Sequence, residues 1–271
     1  MNIIEKLIES KTIDINNCED GLFINENFIA VIDGAKSKGT MIWDGKVGGR
    51  YIKDIISATL PKLDGNINVE EAMKILNIHI KIAYKDKYEF IKTNVAERLE
   101  ASIIIYSKTK KEIWNLGDCQ CIINNQLYSH DKKIDIVVSE FRSLCNKLSL
   151  LEGKTTEDIM KNDIGRELIL PIIKKQALLA NSSDQDYSYG VLDGYSINLN
   201  KINVYKVQEG DEIILASDGY PQLKNTLEAS ERILKETLES DKLLINNFKA
   251  TKCFNNTNNS FDDRTYIRFI I

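Results

Sequence analysis

The sequence predicts an α+β fold in a single domain. Short β-branched runs that end in Asp-Gly or Gly-Asp point to strands, and apolar residues spaced three to four apart between those runs point to helices. No flexible linker, low-complexity tract or internal repeat divides the 271 residues.

The clearest element is Phe28-Ile29-Ala30-Val31-Ile32-Asp33-Gly34. An uninterrupted apolar run this short, closed by Asp-Gly, reads as a strand buried on both faces whose end carries a carboxylate. Asp-Gly alone is first a turn signal, and it recurs at Asp20, Asp44, Asp64, Asp193 and Asp218. Leu22 to Ile24 and the turn Asn25-Glu26-Asn27 make a hairpin partner for this strand, which brings Glu19 and Asp20 to the sheet end that holds Asp33. A surface hairpin with an acidic rim is the alternative.

The other elements follow in order. Met1 to Ser10 has apolar residues at helical spacing between charges and is expected as a helix; it lacks the pattern of a secretion signal. Val47 to Leu60, closed by Pro61, and Val69 to about Tyr84 repeat the helical spacing, with His79 a structural residue beside the second stripe. Ser102 to Tyr106, Glu112 to Leu116 and Cys121 to Ile123 are expected as an antiparallel meander, with Gly117-Asp118 placing a carboxylate at a strand end. Ile134 to Ala180 reads as helical, with one apolar stripe of Ile136, Val137, Phe141, Leu144, Leu148 and Leu151. A cap lies at Thr155-Thr156-Glu157-Asp158, and Pro171 is expected to kink or divide the later segment. Tyr187 to Leu192 and Ile202 to Val207 return to strands. Glu212 to Gly219 is a second apolar strand ending in Asp-Gly, and Thr226 to Ser240 a surface helix with Leu227, Ile233, Leu234 and Leu238 inward. Phe261 to Ile271 closes the chain as a strand whose start carries Asp262 and Asp263.

Composition narrows the chemistry. A net charge of −4 without a basic run gives no electrostatic case for nucleic acid or an anionic membrane. No apolar stretch approaches the roughly 18 residues of a membrane span. Five cysteines in no framework spacing point to reduced thiols and a cytoplasmic setting, and core packing is their expected role. With only His79 and His130 in the chain, neither at a strand-to-turn junction, a zinc-type site or a histidine-based nucleophilic site is disfavoured. Oxygen ligands and a hard cation are the expected tools. If the ends carrying Glu19-Asp20, Asp33, Asp118, Asp218 and Asp262 converge, their mutual repulsion calls for cations, and magnesium or manganese suits an all-oxygen pocket. Two such ions about 3.5 to 4 Å apart can acidify a shared water for in-line attack on a phosphoryl group.

The series Glu19-Asp20, FIAVIDG ending at Gly34, SIIIY, IWNLGD ending at Asp118, DEIILASDG ending at Gly219 and DDRTYIRF from Asp262 resembles the metal-dependent protein serine/threonine phosphatases of type 2C, as a divergent bacterial-type member. The likeness follows the family's order over nearly the whole chain. It implies an α-β-β-α sandwich of two antiparallel sheets flanked by helices, with a two-metal site at one edge and hydrolysis of phosphoserine or phosphothreonine in proteins. It implies that Asp33 bridges two ions, that Gly34 offers its carbonyl, and that Asp218 and Asp262 complete the second ion. Glu19 and Asp20 would act through waters, and Asp118 would join Asp218 at a third ion. Two departures stand out: no arginine precedes Glu19-Asp20, and Ala35-Lys36-Ser37 stands where many members have His-Gly-Gly. Lys36, Lys38 or Arg50 could replace the missing phosphate grip; solvated loop charges are the alternative. Other readings are a pseudophosphatase serving as a binding or regulatory module, and a hydrolase of another phosphoester. The partners expected are a phosphorylated protein substrate, with no nucleic acid and no membrane, and a monomer is the default.

Overall fold

In the computed structural model, which describes residues 1–255 and 257–271, two five-stranded antiparallel sheets pack on each other between helices. One sheet runs in the order β2 (Asp20–Ile24), β3 (Phe28–Ala35), β4 (Glu100–Ser107), β5 (Glu112–Leu116) and β8 (Ile202–Lys206). The other runs β1 (Asn2–Glu9), β10 (Arg264–Ile270), β9 (Glu212–Ala216), β6 (Gln120–Ile123) and β7 (Gln126–Tyr128). The expected α-β-β-α arrangement is the one observed.

Alternation along β3 explains the layering. Ile29 and Val31, with Ile104 of β4 beside them, face the second sheet, where they join Ile213, Leu215 and Ile267. Phe28, Ala30 and Ile32 face outward and are covered by α1 (Gly48–Thr59) and α2 (Val69–Ala83) through Ile52, Ile56, Met73 and Leu76. All five β3 residues from Phe28 to Ile32 are buried, as the apolar run requires. A short α3 (Tyr88–Thr93) follows α2. On the far side α7 (Leu227–Ser240), capped by Thr226, buries Leu234 and Leu238 against Leu244 and Phe261. Between β7 and β8 the chain forms α4 (Lys133–Leu151), α5 (Thr156–Lys161) and α6 (Ile164–Ile173). The cap expected at Thr155 is present as a reciprocal pair with Asp158.

Several expectations are corrected. The amino-terminal segment is the edge strand β1, not a helix, with a register shift between Ile3 and Glu5. Its apolar spacing suits either form, and the open edge of β10 decides by offering a ladder plus Arg264 and Arg268, which hold Glu9 at 2.7 Å and Glu5 at 3.2 Å. The strand at 120–123 does not extend the β4–β5 hairpin; Gly117, at φ +106°, turns the chain across to the other sheet, where β6 pairs with β9. Tyr187 to Leu192 forms only single bridges, at Tyr189 and Leu192, because Asn181 meets its backbone by donating to the Val191 carbonyl at 2.9 Å. Pro171 sits in the last turn of α6, which continues to Ile173; the helical region divides earlier, at Asp163, whose side chain accepts from Arg166 N at 2.9 Å.

The largest reversal is on α4. The apolar stripe faces outward, and apart from Ile134 and Val138 the buried face is polar: Ser139, Arg142, Ser143, Asn146 and Ser149. Arg142, fully buried, reaches Asp163 at 2.7 Å and donates to the carbonyls of Leu243 at 2.9 Å and Ala250 at 2.8 Å. The surface α4 meets is therefore rich in backbone acceptors, which a guanidinium satisfies and a leucine would not.

Candidate active site

Asp33 shares the parity of Ile29 and Val31, so its carboxylate enters the space between the sheets at their edge. Strand register sets it opposite Asp20 on β2 and Ser102 on β4. The turn at Gly117 leaves Asp118 beside Ser102, whose hydroxyl donates to Asp118 Oδ1. Asp218 follows β9 on the other sheet. Carboxylate oxygens of Asp33, Asp118 and Asp218 all lie within 4.8 Å of one another. Three distant segments thus deliver three acids to one point.

That proximity has an electrostatic cost. Burial first, then repulsion from Asp218, Asp20 and Asp118, pushes the Asp33 carboxyl well above its usual range. Burial and the charges of Asp118 and Asp262 push Asp218 up to about 7, although the side chain opens to the cavity. Asp118 moves the other way: despite its burial, Lys132 holds it below the usual range. Lys132 Nζ stands 2.7 Å from Asp118 Oδ2, each side chain only 10% exposed.

Glu19, Asp20, Gly34 and Asp262 surround this triad without being part of it. Asp20 is buried and accepts from Thr265 Oγ1 at 3.0 Å, and burial followed by repulsion from Asp263 and Asp218 raises its carboxyl well above the usual range. Glu19 is buried, with Oε1 lacking a partner among the described residues. Gly34 N donates to the Glu19 carbonyl at 3.2 Å. A Cβ at Gly34 would lie 2.6 Å from that carbonyl and against Gly49 O, so glycine is required where α1 approaches β3. Asp262, half-buried at the cavity wall, has both oxygens engaged, by Lys11 at 2.8 Å and Lys252 at 3.1 Å, and despite partial desolvation these ammonium groups hold its carboxyl far below the usual range.

Lys11 and Lys132 are the residues sequence reasoning missed. Lys11 Nζ also meets Glu19 Oε2 at 3.2 Å and Asp263 Oδ2 at 3.4 Å, so one ammonium serves three acids. Nothing in its local sequence marks that role. Lys132 did carry a signal: it occupies the N-cap of α4, where the helix dipole favours an acid.

Above the triad opens a cavity of about 1280 Å³ whose lining includes Lys11, Lys36, Lys38, Lys132, Arg166 and Lys252. Lys36 and Lys38 are therefore at the site as expected, whereas Arg50 on α1 is not in its lining. Desolvation at the cavity mouth, then the charges of Lys252 and Arg166, lowers the Lys38 ammonium, although the residue itself is exposed. Neither histidine lines the cavity: His79 Nδ1 meets the Ile75 carbonyl at 3.0 Å, and His130 Nε2 meets the Tyr205 hydroxyl at 2.5 Å. Cys119 and Cys121 pack in the core between the sheets. Among the described residues, no helix is long and apolar enough to cross a membrane.

No protein-family model matches the sequence, and no curated protein does. Solved structures to which the chain is similar include the serine/threonine phosphatase Stp1 from Staphylococcus aureus, at 15% identity over 98% of this chain and 94% of that one, TM-score 0.48. The Mycobacterium tuberculosis serine/threonine phosphatase PstP/Ppp is 13% identical over 98% of this chain and 97% of its own, TM-score 0.47. The S. agalactiae serine/threonine phosphatase is 13% identical over 98% of each chain, TM-score 0.47. At this level of similarity the chemistry has to be read from the chain's own residues.

Proposed function

We propose that the protein is a magnesium- or manganese-dependent phosphomonoesterase of the type 2C kind, acting on phosphoserine or phosphothreonine in proteins. The observation that carries this reading is the meeting of Asp33, Asp118 and Asp218, from three distant segments, beneath a cavity lined with lysines. The donor set fits a hard cation: every donor is a carboxylate oxygen, and two of the three acids are pushed upward by burial and by mutual repulsion, the second of which a divalent charge would relieve. Asp33 and Asp218 would hold the ion, with Asp118 shared between it and Lys132. Bound there, the ion supplies Lewis acidity to a phosphoryl oxygen and to the attacking water.

The rest falls to the chain. Lys132, Lys38, Arg166 and Lys252 supply the positive charge that a phosphate dianion needs, in place of the arginine absent before Glu19. Lys36, directly after β3, lines the same cavity. Asp262 and Glu19 would belong to a second ion only if that ion displaced Lys11.

That engagement of Asp262 favours a second reading, in which the fold serves as a phosphoprotein-binding module with little turnover. One experiment separates the two: hydrolysis of an aryl phosphate and of a phosphothreonine peptide with manganese, for wild type, Asp33→Asn and Asp218→Asn. Activity in wild type lost in both variants supports the phosphatase. An inactive wild type that still binds the phosphopeptide supports the module.

A further inference from the structure

The outward face of α4 carries a row of exposed large apolar side chains. Ile134, Val137, Phe141, Leu144, Leu148 and Leu151 recur at intervals of three, four, three, four and three, the a and d positions of a heptad. Ile134 is tucked against α6, while the other five are 45% to 84% exposed. The same helix buries Arg142, Asn146 and three serines. An amphipathic helix normally turns its apolar stripe to its own core. Here most of the core-facing side is polar, so the stripe from Val137 to Leu151 is a seam without a partner, about 21 Å long at the rise of an α-helix.

We infer that α4 pairs with α4 of a second copy of this chain, antiparallel and about a two-fold axis, as a short coiled coil. A strict a/d stripe, narrower than the face of a core helix, specifies another helix as its partner. The charges beside the seam specify which helix. Glu140 and Lys147, both exposed, occupy successive g positions. When Phe141 packs against the partner's Leu144, and Leu148 against the partner's Val137, Glu140 falls beside the partner's Lys147 and the two-fold axis repeats that pair. A parallel pairing would leave Glu140 facing Cys145. Fewer than three heptads would form a weak dimer as free peptides, but α4 is held helical by Arg142 and α6, so no helix-nucleation cost opposes association. Glu140 also lines the cavity and receives Lys249 of its own chain at 2.6 Å, which places the seam at the rim of the cavity mouth.

Sedimentation velocity across a concentration series, with thermal melts to verify folding, tests this. Wild type is expected to dimerise reversibly, and Leu144→Glu, an exposed position, to remain folded and monomeric. Glu140→Lys is expected to weaken the dimer about tenfold or more, and Glu140→Lys with Lys147→Glu to restore it to within about threefold. A wild type that stays monomeric at every concentration overturns the proposal and leaves the face to a different polypeptide. A dimer that survives Leu144→Glu, or a double reversal that fails to restore association, overturns it as well.

Discussion

Lys132 Nζ and Asp118 Oδ2 stand 2.7 Å apart at the floor of the cavity, both nearly enclosed by protein. The lysine is an internal counter-charge for an acid cluster, and an ammonium that neutralises Asp118 also competes with a metal for it. Lys132→Gln should therefore separate two quantities. Manganese affinity by titration calorimetry is expected to rise about tenfold, since one unit of competing charge is removed. The kcat/KM for a phosphopeptide is expected to fall about ten- to a hundredfold with the lost phosphate contact. Parallel loss of both would show instead that Lys132 only maintains the fold.

Lys11 gives a stability prediction. Removing its ammonium leaves Glu19 and Asp263 buried with no other cation paired to them among the described residues. Lys11→Met is expected to destabilise the metal-free protein by about 3 kcal/mol in urea unfolding. Added manganese should recover part of that loss, because it supplies charge to the same acids.

Asp193 predicts a pH dependence away from the triad. Burial outweighs an Arg98 guanidinium 3.7 Å away and raises this carboxyl to about 7. With the folded pKa above the unfolded one, the native state binds more protons between about pH 4 and pH 7, so stability falls as pH rises through that window. Asp193→Asn should flatten this decline and raise stability at pH 8 by roughly 1–3 kcal/mol relative to wild type. Denaturant midpoints at pH 5 and pH 8 for both proteins provide the check.

Gly34 tests the approach of α1 to β3. A methyl group there meets the backbone of Gly49 and Glu19, which cannot rotate away. Gly34→Ala is expected to cost about 2 kcal/mol or more and to lower metal affinity by displacing the end of β3. A variant with wild-type melting and manganese binding would show that α1 yields freely.

How much of this was legible in the sequence varies by element. The buried strand through Ile29 and Val31, the Asp20–Asp33 pairing and the helices at 48–59 and 69–83 follow from local pattern, because burial and period agree there. The amino-terminal strand was hidden because its partner, β10, lies at the opposite end of the chain. The α4 stripe was visible, but its direction was not: a periodic pattern marks a face without saying what meets it. Asp33, Asp118 and Asp218 stood out as acids at strand ends. Lys11 and Lys132, which neutralise their surroundings, are ordinary lysines until the fold encloses them.

The crossing at Gly117 has a mechanical side. Asp33 ends a strand of one sheet, Asp218 follows a strand of the other, and Asp118 lies on the link that passes between them. Their separation is thus a gauge of how the two sheets are aligned. A ligand gripping all three would act as a rivet through both layers, and a change in the remote core, such as trimming Ile104 or Ile213, would be felt at the cavity as altered grip on that ligand, with no residue of the site itself replaced.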